Sequence, residues 1–291
     1  MATLTKQALF NNAVMAYMSE CTGGKLKKFC EVMTQEGGET ITFNRIKAST
    51  AGNGQLASMY NTDPTDGGDM AEVKVTIGYI GEQQKIADAD MKKTKVDVKN
   101  VYVKSLTNAV LRAEDKAVID AIFAKTTNDT PVEGTNTQKV KITTDYANTA
   151  SVKKVIKEIK KAQAKASNTP DNYRGVALVL TASDWADLAT SEYVLNQDYA
   201  VQYGGSTGAP DMFYGAEVVI LPEIGGGKLG GSNHIGYVIP SNTVCFGEWE
   251  GSTKGYAEFH PTDKMSWHLQ VVKSMGVAVA ETTAISQFTT V

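Results

Sequence analysis

Helical and strand patterns of hydrophobic residues divide the chain into distinct elements. The strongest helical pattern covers residues 101–124, which contain no glycine or proline. Its near-heptad apolar stripe consists of Val103, Leu106, Val110, Ala113, Ala117 and Ala121. At about 1.5 Å per residue, this stretch predicts a rod of about 36 Å. A second, lysine-rich helix is predicted over residues 146–166, where apolar residues recur at helical spacing.

Strand patterns precede and follow these helices. In MAEVKVTIGYI, Val73, Val75, Ile77 and Tyr79 alternate with less apolar residues, which predicts a half-exposed antiparallel strand. Upstream, KLKKFCEVMTQ and ETITFNRIK are two extended segments that resemble a hairpin or an extended arm. Beyond residue 174, further strands are predicted in GVALVLT, AEVVILPEI, HIGYVIP, TVCFGEW and SWHLQVVKSMGVAVAETTAISQF. This order of elements predicts an α+β fold.

One long stretch has little means of packing on itself. Residues 51–72, AGNGQLASMYNTDPTDGGDMAE, contain four glycines and one proline. Their scattered apolar side chains are Leu56, Met59, Tyr60 and Met70. Connections longer than about 12 to 15 residues without structure of their own are uncommon in compact domains, and tend to be functional or disordered. The segment is therefore either flexible or ordered by something outside its own subunit.

Composition narrows the class of protein. The 291 residues carry 29 basic and 32 acidic side chains, for a net charge of −3, so the chain as a whole is not attracted to phosphate backbones. No apolar run approaches the roughly 18 residues of a membrane span, and a secretory signal pattern is lacking at the start. We therefore expect a cytosolic product without a membrane partner. The lysines between residues 153 and 165 are interpreted as a solvated helix face in preference to a nucleic-acid site. Three widely spaced cysteines predict reduced thiols.

Each motif that could support enzyme chemistry fails a test of its context. The G-x-G-x-x-G pattern at residues 225–230 leads into a predicted strand, whereas a dinucleotide site needs a helix there. The G-x-S-x-G pattern at residues 204–208 would make Ser206 the nucleophile of an α/β-hydrolase, but Pro210 leaves little room for the helix that follows such a nucleophile. The histidines form no H-x-x-x-H pair. We expect no catalytic residue, cofactor or metal, with the Ser206 hydrolase as the alternative.

Several stretches, in order along the chain, share a resemblance to one protein family. They are GGKLKKFCEVMTQEGGETITFNRI; IADADMKKTKVDVKNVYVKSLTNAVLRAEDKAVIDAI, with an R-x-x-D pattern from Arg112 to Asp115; GVALVLTASDWADLA, with Trp185; GAEVVILPEI; and WHLQVVKSMGVAVAE. These stretches resemble, in turn, the N-terminal arm, the spine helix, the axial strand and helix, and later strands of major capsid proteins of tailed bacteriophages with the Hong Kong 97 type fold.

The resemblance implies a Hong Kong 97-like capsid fold with four parts. These are an N-terminal arm (1–47), an extended loop (48–82), a peripheral domain with a long spine helix (83–145 and 245–291) and an axial domain (146–244). In this family the extended loop lies across a neighbouring subunit, so we expect Leu56, Met59 and Tyr60 to make inter-subunit contacts. Residues 48–73 contain no lysine, so covalent crosslinking through a loop lysine is not expected.

The resemblance also implies a function without catalysis. Hexamers and pentamers of the chain would form the icosahedral head of a virion, assembled in the host bacterial cytoplasm and enclosing double-stranded DNA without sequence-specific binding. Because arm-like sequence starts almost at Met1, we expect a separate scaffolding protein, together with a portal, as partners. An encapsulin-like bacterial compartment shell, which has the same fold, is the other alternative.

Overall fold

The computed structural model describes residues 24–46, 70–87, 98–126, 138–167, 175–195, 212–251, 253–263 and 265–290. The helices among them are α1 (Val98–Thr126), α2 (Thr149–Ser167), α3 (Ala182–Thr190) and α4 (Glu192–Leu195). The strands are β1 (Glu31–Gln35), β2 (Thr40–Ile46), β3 (Met70–Thr76), β4 (Gly78–Ala87), β5 (Gln138–Ile142), β6 (Val176–Leu180), β7 (Met212–Phe213), β8 (Ala216–Ile220), β9 (Gly236–Pro240), β10 (Val244–Trp249), β11 (Lys254–His260), β12 (Ser266–Val279) and β13 (Ser286–Thr290).

The first sheet is organised around the 14-residue strand β12. Strand β4 lies antiparallel along one edge of β12, and β11 lies antiparallel along the other. Met275 pairs with both Gly78 and Glu248, so β10 lies on the same edge as β11. Strand β1 adds to β10 in parallel, with Glu31 opposite Cys245. The sheet therefore joins the N-terminal segment to the C-terminal third of the chain.

Helix α1 supports both sheets of the fold. Its 29 residues span about 43 Å, and it begins and ends slightly outside the predicted range of 101–124. Val103, Leu106 and Val110 pack on the first sheet. Val118, Ile119 and Ile122, further along the helix, pack in a core that contains residues of both sheets. No helix in the described part of the chain is long and apolar enough to cross a membrane.

The second sheet has six strands in the order β5-β13-β9-β6-β8-β7. Every residue of the central strand β6, VALVL, is buried, as expected for a strand covered on both faces. Val176, Leu178 and Leu180 pack with residues of α2 and α3. Ala177 and Val179 point to the other face and pack in the core to which α1 contributes. Strands β5 and β13 fall in the predicted peripheral ranges, but β13, which pairs with β5, also pairs with β9 of the predicted axial range. The four-part division stays a prediction.

Strands β2 and β3 form a separate two-stranded ribbon. They pair antiparallel from Thr40 with Thr76 to Ile46 with Met70, so the ends of residues 47–69 are brought together. Because β1 pairs with β10 and β2 pairs with β3, the hairpin interpretation of residues 25–46 is wrong. The extended-arm interpretation stays a prediction, and we use the name arm for residues 24–35 only. The pattern could not distinguish the two interpretations, since an edge strand has the same alternation whichever partner it meets.

The ribbon rests on a platform made by two glycines. Gly247 and Gly276 are opposite each other in β10 and β12. A Cβ atom on Gly276 would lie 2.2 Å from the backbone oxygen of Thr76, and one on Gly247 would lie 3.1 Å from Ile41 Cδ1. Ile41 is fully buried at this contact, next to Cys245. The absence of two side chains therefore lets the ribbon lie directly on the sheet.

A chain of buried and partly buried charges connects the arm, the helix and the first sheet. Lys273 Nζ on β12 lies 2.7 Å from Glu114 Oε1 on α1 and 2.9 Å from Glu248 Oε2 on β10. Glu248 also accepts from Lys27 Nζ of the arm at 2.9 Å. The second oxygen of Glu114 accepts the Gly24 N–H at 2.9 Å. We call this set Glu114, Lys273, Glu248 and Lys27 the charge chain.

Electrostatics within the charge chain favours the ionised forms. Burial disfavours the charge on Lys273, but Glu114 and Glu248 raise its pKa above the ordinary value of 10.5. Burial likewise disfavours ionised Glu248, but the hydrogen bond from Lys27 and the charge of Lys273 hold its pKa below the ordinary value of 4.5. The opposite charges therefore outweigh the cost of desolvation at both sites.

Asp115, next to Glu114 on α1, fixes the first turn of the described arm. Its carboxylate accepts the N–H groups of Leu26 at 2.8 Å and of Lys25 at 3.1 Å. Burial raises the pKa of Asp115, and these two N–H donors oppose that rise. A Cβ atom on Gly24 would lie 2.6 Å from Asp115 Oδ1, so the glycine permits the close approach of arm and helix.

Replacing Glu248 with Gln should destabilise the subunit by about 3 kcal/mol at neutral pH, because Lys273 and Lys27 then lose the negative charge that Glu248 supplies. The lowered pKa of Glu248 means that its contribution is present above pH 4.5 and is lost as the pH falls through the folded-state pKa. The difference between wild type and Glu248→Gln should therefore shrink in denaturant unfolding curves below that pH. The exposed neighbour Glu250→Gln is the control and should change stability by less than about 0.5 kcal/mol. A deficit that stays constant down to about pH 3 would contradict the assignment.

Replacing Gly276 with Ala should destabilise the ribbon, because the new Cβ meets the backbone of Thr76. We expect a cost of about 1 to 3 kcal/mol in denaturant unfolding. Hydrogen exchange at the Ile77 amide, which donates to Glu39 O at 3.2 Å, should accelerate. Gly78→Ala is the matched control, since a Cβ atom there approaches nothing closer than 4.0 Å. Equal protection of the Ile77 amide in both variants would rule out the platform.

Candidate assembly surface

The first sheet has one face covered by α1 and one face that is partly open. Leu269 and Val271 of β12 pack on α1, so the alternate residues of the strand face the other side. On that side the ribbon covers Gly276. Ala278 packs nearby, against the buried cluster that contains Ile41 and Cys245. From Ser274 back to Ser266 the same side of β12 continues beyond the ribbon. We call this side of β12 between Ser266 and Ser274, together with the residues of β4 and β11 that pair with it on the same side, the open face.

Two tyrosines are prominent on the open face. Tyr79 of β4 is 71% exposed and Tyr256 of β11 is 42% exposed. The exposed residues around them are Gly81, Gln83, Lys85, Lys254, Glu258 and Gln270. The Tyr79 ring meets the edge of Trp249, with centroids 5.7 Å apart, and Trp249 Nε1 donates to Gly38 O at 2.8 Å. Large aromatic side chains left exposed in a subunit are typical of protein interfaces.

A polar cluster closes the far end of the open face. The rings of His260 and His268 stack with centroids 4.2 Å apart. Asp263, in the turn between β11 and β12, accepts from Lys85 and lies 3.1 Å from His268 Nε2. The hydrogen bond from Lys85, followed by that from His268, lowers the pKa of Asp263. The cluster ties β4 to the turn, which sets the outer limit of the open face.

The arm provides a second exposed surface. Strand β1 is the edge strand of the first sheet, and its Val32 and Met33 are 42% and 39% exposed. The arm is held to the second sheet as well, because Lys25 Nζ donates to Ile220 O at 2.9 Å and Lys28 pairs with Glu217. Edge strands present unpaired backbone groups that can recruit further strands.

The site residues predicted from the sequence lie outside the described residues. This applies to the inter-subunit contact residues Leu56, Met59 and Tyr60, and to Ser206 with its G-x-S-x-G pattern. The predicted loop at residues 225–230 is confirmed, since Ile224 pairs with Leu229 in a tight turn and no helix follows.

The described residues that could hold a metal ion form one cluster, between helix α3 and the turn that precedes β9. Asp184, Asp187 and His234 place one ligand atom each within 4.8 Å of one another. Both oxygens of Asp184 are already engaged, one with His234 Nδ1 at 2.7 Å and the other with the Thr181 hydroxyl at 2.7 Å. The Asp184 N–H donates to Thr181 Oγ1 at 3.3 Å, which caps α3. The arrangement is explained as a helix cap joined to His234.

The sequence analysis missed the charge chain, although it singled out Asp115 in the R-x-x-D pattern. Lys273 offers a usable signal, since it is a lone charge within the otherwise uncharged strand SWHLQVVKSMGVAV. A buried ammonium group requires a carboxylate partner. Which carboxylates it meets is decided by the packing of α1 and the pairing of β10, and neither is visible in the local pattern.

Solved structures of capsid proteins have the same fold. The capsid of cyanophage P-SCSP1u matches with a TM-score of 0.61 and 16% identity, covering 92% of this chain and 88% of that chain. The Mycobacterium phage Che8 structure matches with a TM-score of 0.58 and 15% identity over 87% and 85%. A virus-like particle from Pyrococcus furiosus matches with a TM-score of 0.58 and 13% identity over 97% and 99%. The predicted α+β fold of the Hong Kong 97 type is thereby confirmed.

Sequence comparison provides the family. A search of curated proteins finds no significant match. A family model described as phage capsid protein matches residues 2–281. Because this match covers nearly the whole chain, the protein belongs to the phage capsid protein family and is a structural major capsid protein, not an enzyme.

Proposed function

We propose that the chain forms the hexamers and pentamers of an icosahedral head, and that residues 47–69 of each subunit lie on the open face of a neighbour. The observation that carries this proposal is the position of the ribbon. It rests on the same side of the first sheet as the open face, and it ends at Ile46 and Met70, where residues 47–69 begin and end.

Ordering residues 47–69 on a neighbour costs conformational entropy. Fixing the backbone costs about 1 to 2 kcal/mol per residue, and residues 47–69 contain few apolar side chains to offset it. The open face presents Tyr79 and Tyr256 to a partner. Contact between these rings and Leu56, Met59 and Tyr60 of a neighbour buries apolar surface on both sides. The neighbour then supplies the stabilisation that the segment lacks.

Closure of the shell multiplies weak contacts. Each subunit offers the arm edge, the open face and residues 47–69, so each can meet several neighbours. Once two subunits are linked, every further contact forms at high effective concentration. A closed symmetric shell also leaves few surfaces unpaired. Modest interfaces therefore suffice for a stable head, and the rigid α1 keeps them in fixed relative positions.

The proposal extends to the remaining partners, and membership of the phage capsid protein family supports it. We propose that the head encloses double-stranded DNA, that a separate scaffolding protein and a portal take part in its assembly, and that assembly occurs in the host bacterial cytoplasm. The division into arm, extended loop, peripheral domain and axial domain belongs to the same proposal. Nucleic acid inside purified particles separates a phage head from an encapsulin-like compartment, which would hold protein cargo instead.

Changing Leu56, Met59 and Tyr60 together to Ser should impair shell formation and leave the free subunit folded, because the contacts form only between subunits. Negative-stain electron microscopy measures shells, and circular dichroism measures folding. The control changes the polar neighbours Gln55 and Asn61 to Ser and should assemble normally. Intact shells of ordinary stability from the triple variant would refute the anchoring role of these residues.

The double variant Tyr79→Ser and Tyr256→Ser tests the receiving surface. We expect a loss of assembled particles in sedimentation, with subunit stability changed by less than about 1 kcal/mol because both side chains are exposed. Met212→Ser is the control, since Met212 is 62% exposed but lies on β7 of the second sheet. If the tyrosine variant assembles as well as the control, residues 47–69 dock elsewhere.

A further inference from the structure

Helix α2 carries a lysine face that the shell contacts do not use. Val152, Val155 and Ile159 are buried against the second sheet. At 3.6 residues per turn, the lysines lie together in an arc of about 140° on the other side. They are Lys153, Lys154, Lys157, Lys160, Lys161 and Lys165. The other residues in this arc are the exposed Ala150 and Ala164, so the arc contains no acidic side chain.

The charges on this face are largely uncompensated. Within the described part of the chain, Lys161 alone has a carboxylate partner, at 2.6 Å from the buried Glu158. Lys153 lies over the Tyr193 ring at 5.5 Å. The remaining contacts are to uncharged oxygens. Lys154 donates to Lys141 O at 2.6 Å and Lys165 to Thr283 O at 3.1 Å. Lys160 donates to Tyr214 O and to Gln163 Oε1, both at 3.2 Å. These bonds hold the ammonium groups at the surface without neutralising them.

The arrangement costs the helix stability. Lys153, Lys157, Lys161 and Lys165 follow one another at i, i+4, where like charges destabilise a helix. A surface helix that is only solvated normally mixes acidic and basic side chains. An anionic ligand would remove the repulsion.

The composition of the face identifies the class of ligand. Protein interfaces are depleted in lysine and enriched in aromatic residues, methionine and arginine, whereas this arc contains only lysine and alanine. Flexible point charges without base-reading side chains suit a phosphate backbone bound without regard to sequence. We propose that the lysine face of α2 binds the phosphates of duplex DNA. This inference rests on the proposed function, in which the shell encloses DNA, and it replaces the solvated-face interpretation.

The test is the salt dependence of DNA binding by the purified full-length subunit. Fluorescence anisotropy with a short labelled duplex of random sequence, between about 50 and 200 mM salt, gives the slope of log K against log salt. Each phosphate contact contributes about 0.9 to that slope. The variant Lys153→Gln, Lys157→Gln, Lys160→Gln should therefore have a slope shallower by about 3, with the same helical content by circular dichroism.

The control variant removes three exposed lysines elsewhere: Lys74→Gln, Lys116→Gln and Lys125→Gln. It has the same net charge and should retain the wild-type slope. The proposal is overturned if both variants lose the same slope or if the wild type shows no salt-dependent binding. Shell formation is scored separately by electron microscopy, so failure of the proposed function is distinguishable from failure of this inference.

Discussion

The packing of the first sheet depends on one chain of alternating charges, whose central pair, Glu114 and Lys273, is buried. Glu114, Lys273, Glu248 and Lys27 come from α1, β12, β10 and the arm, which are far apart in sequence. Removing one partner from a buried ion pair leaves an uncompensated charge in a medium of low dielectric constant. Each segment is therefore held in one register, since a shift along β12 would separate Lys273 from both carboxylates.

With that register fixed, two glycines come opposite each other and form the platform for the ribbon. Gly247 and Gly276 can meet only if β10 and β12 pair as they do. The charge chain and the platform lie on opposite sides of the same strands, so α1 and the ribbon share one support. In the proposed assembly, the ribbon held on this support presents residues 47–69 to a neighbour, and the adjacent open face receives the same segment from another copy.

Charge acts on two scales in this protein. The net charge of −3 leaves the subunit without general attraction to DNA, which agrees with the proposal that DNA is enclosed without condensing on every surface. The lysine face of α2 is a local exception, with like charges gathered on one arc of one helix. A capsid subunit of this kind can combine a weakly acidic body with a limited region of phosphate contact.

The sequence by itself determined the elements whose patterns arise from local burial. Residues 101–124 form a helix because the apolar stripe repeats at helical spacing, and VALVL forms a buried strand because it is apolar on both sides. The order of these elements was enough to indicate the capsid fold. Only the tertiary structure decided that β1 pairs with β10, that Lys273 meets Glu114, and that Gly276 supports Thr76. The physical reason is that periodicity records how deeply each residue is buried, whereas the partner of a strand, a charge or a glycine is set by segments that are distant in sequence.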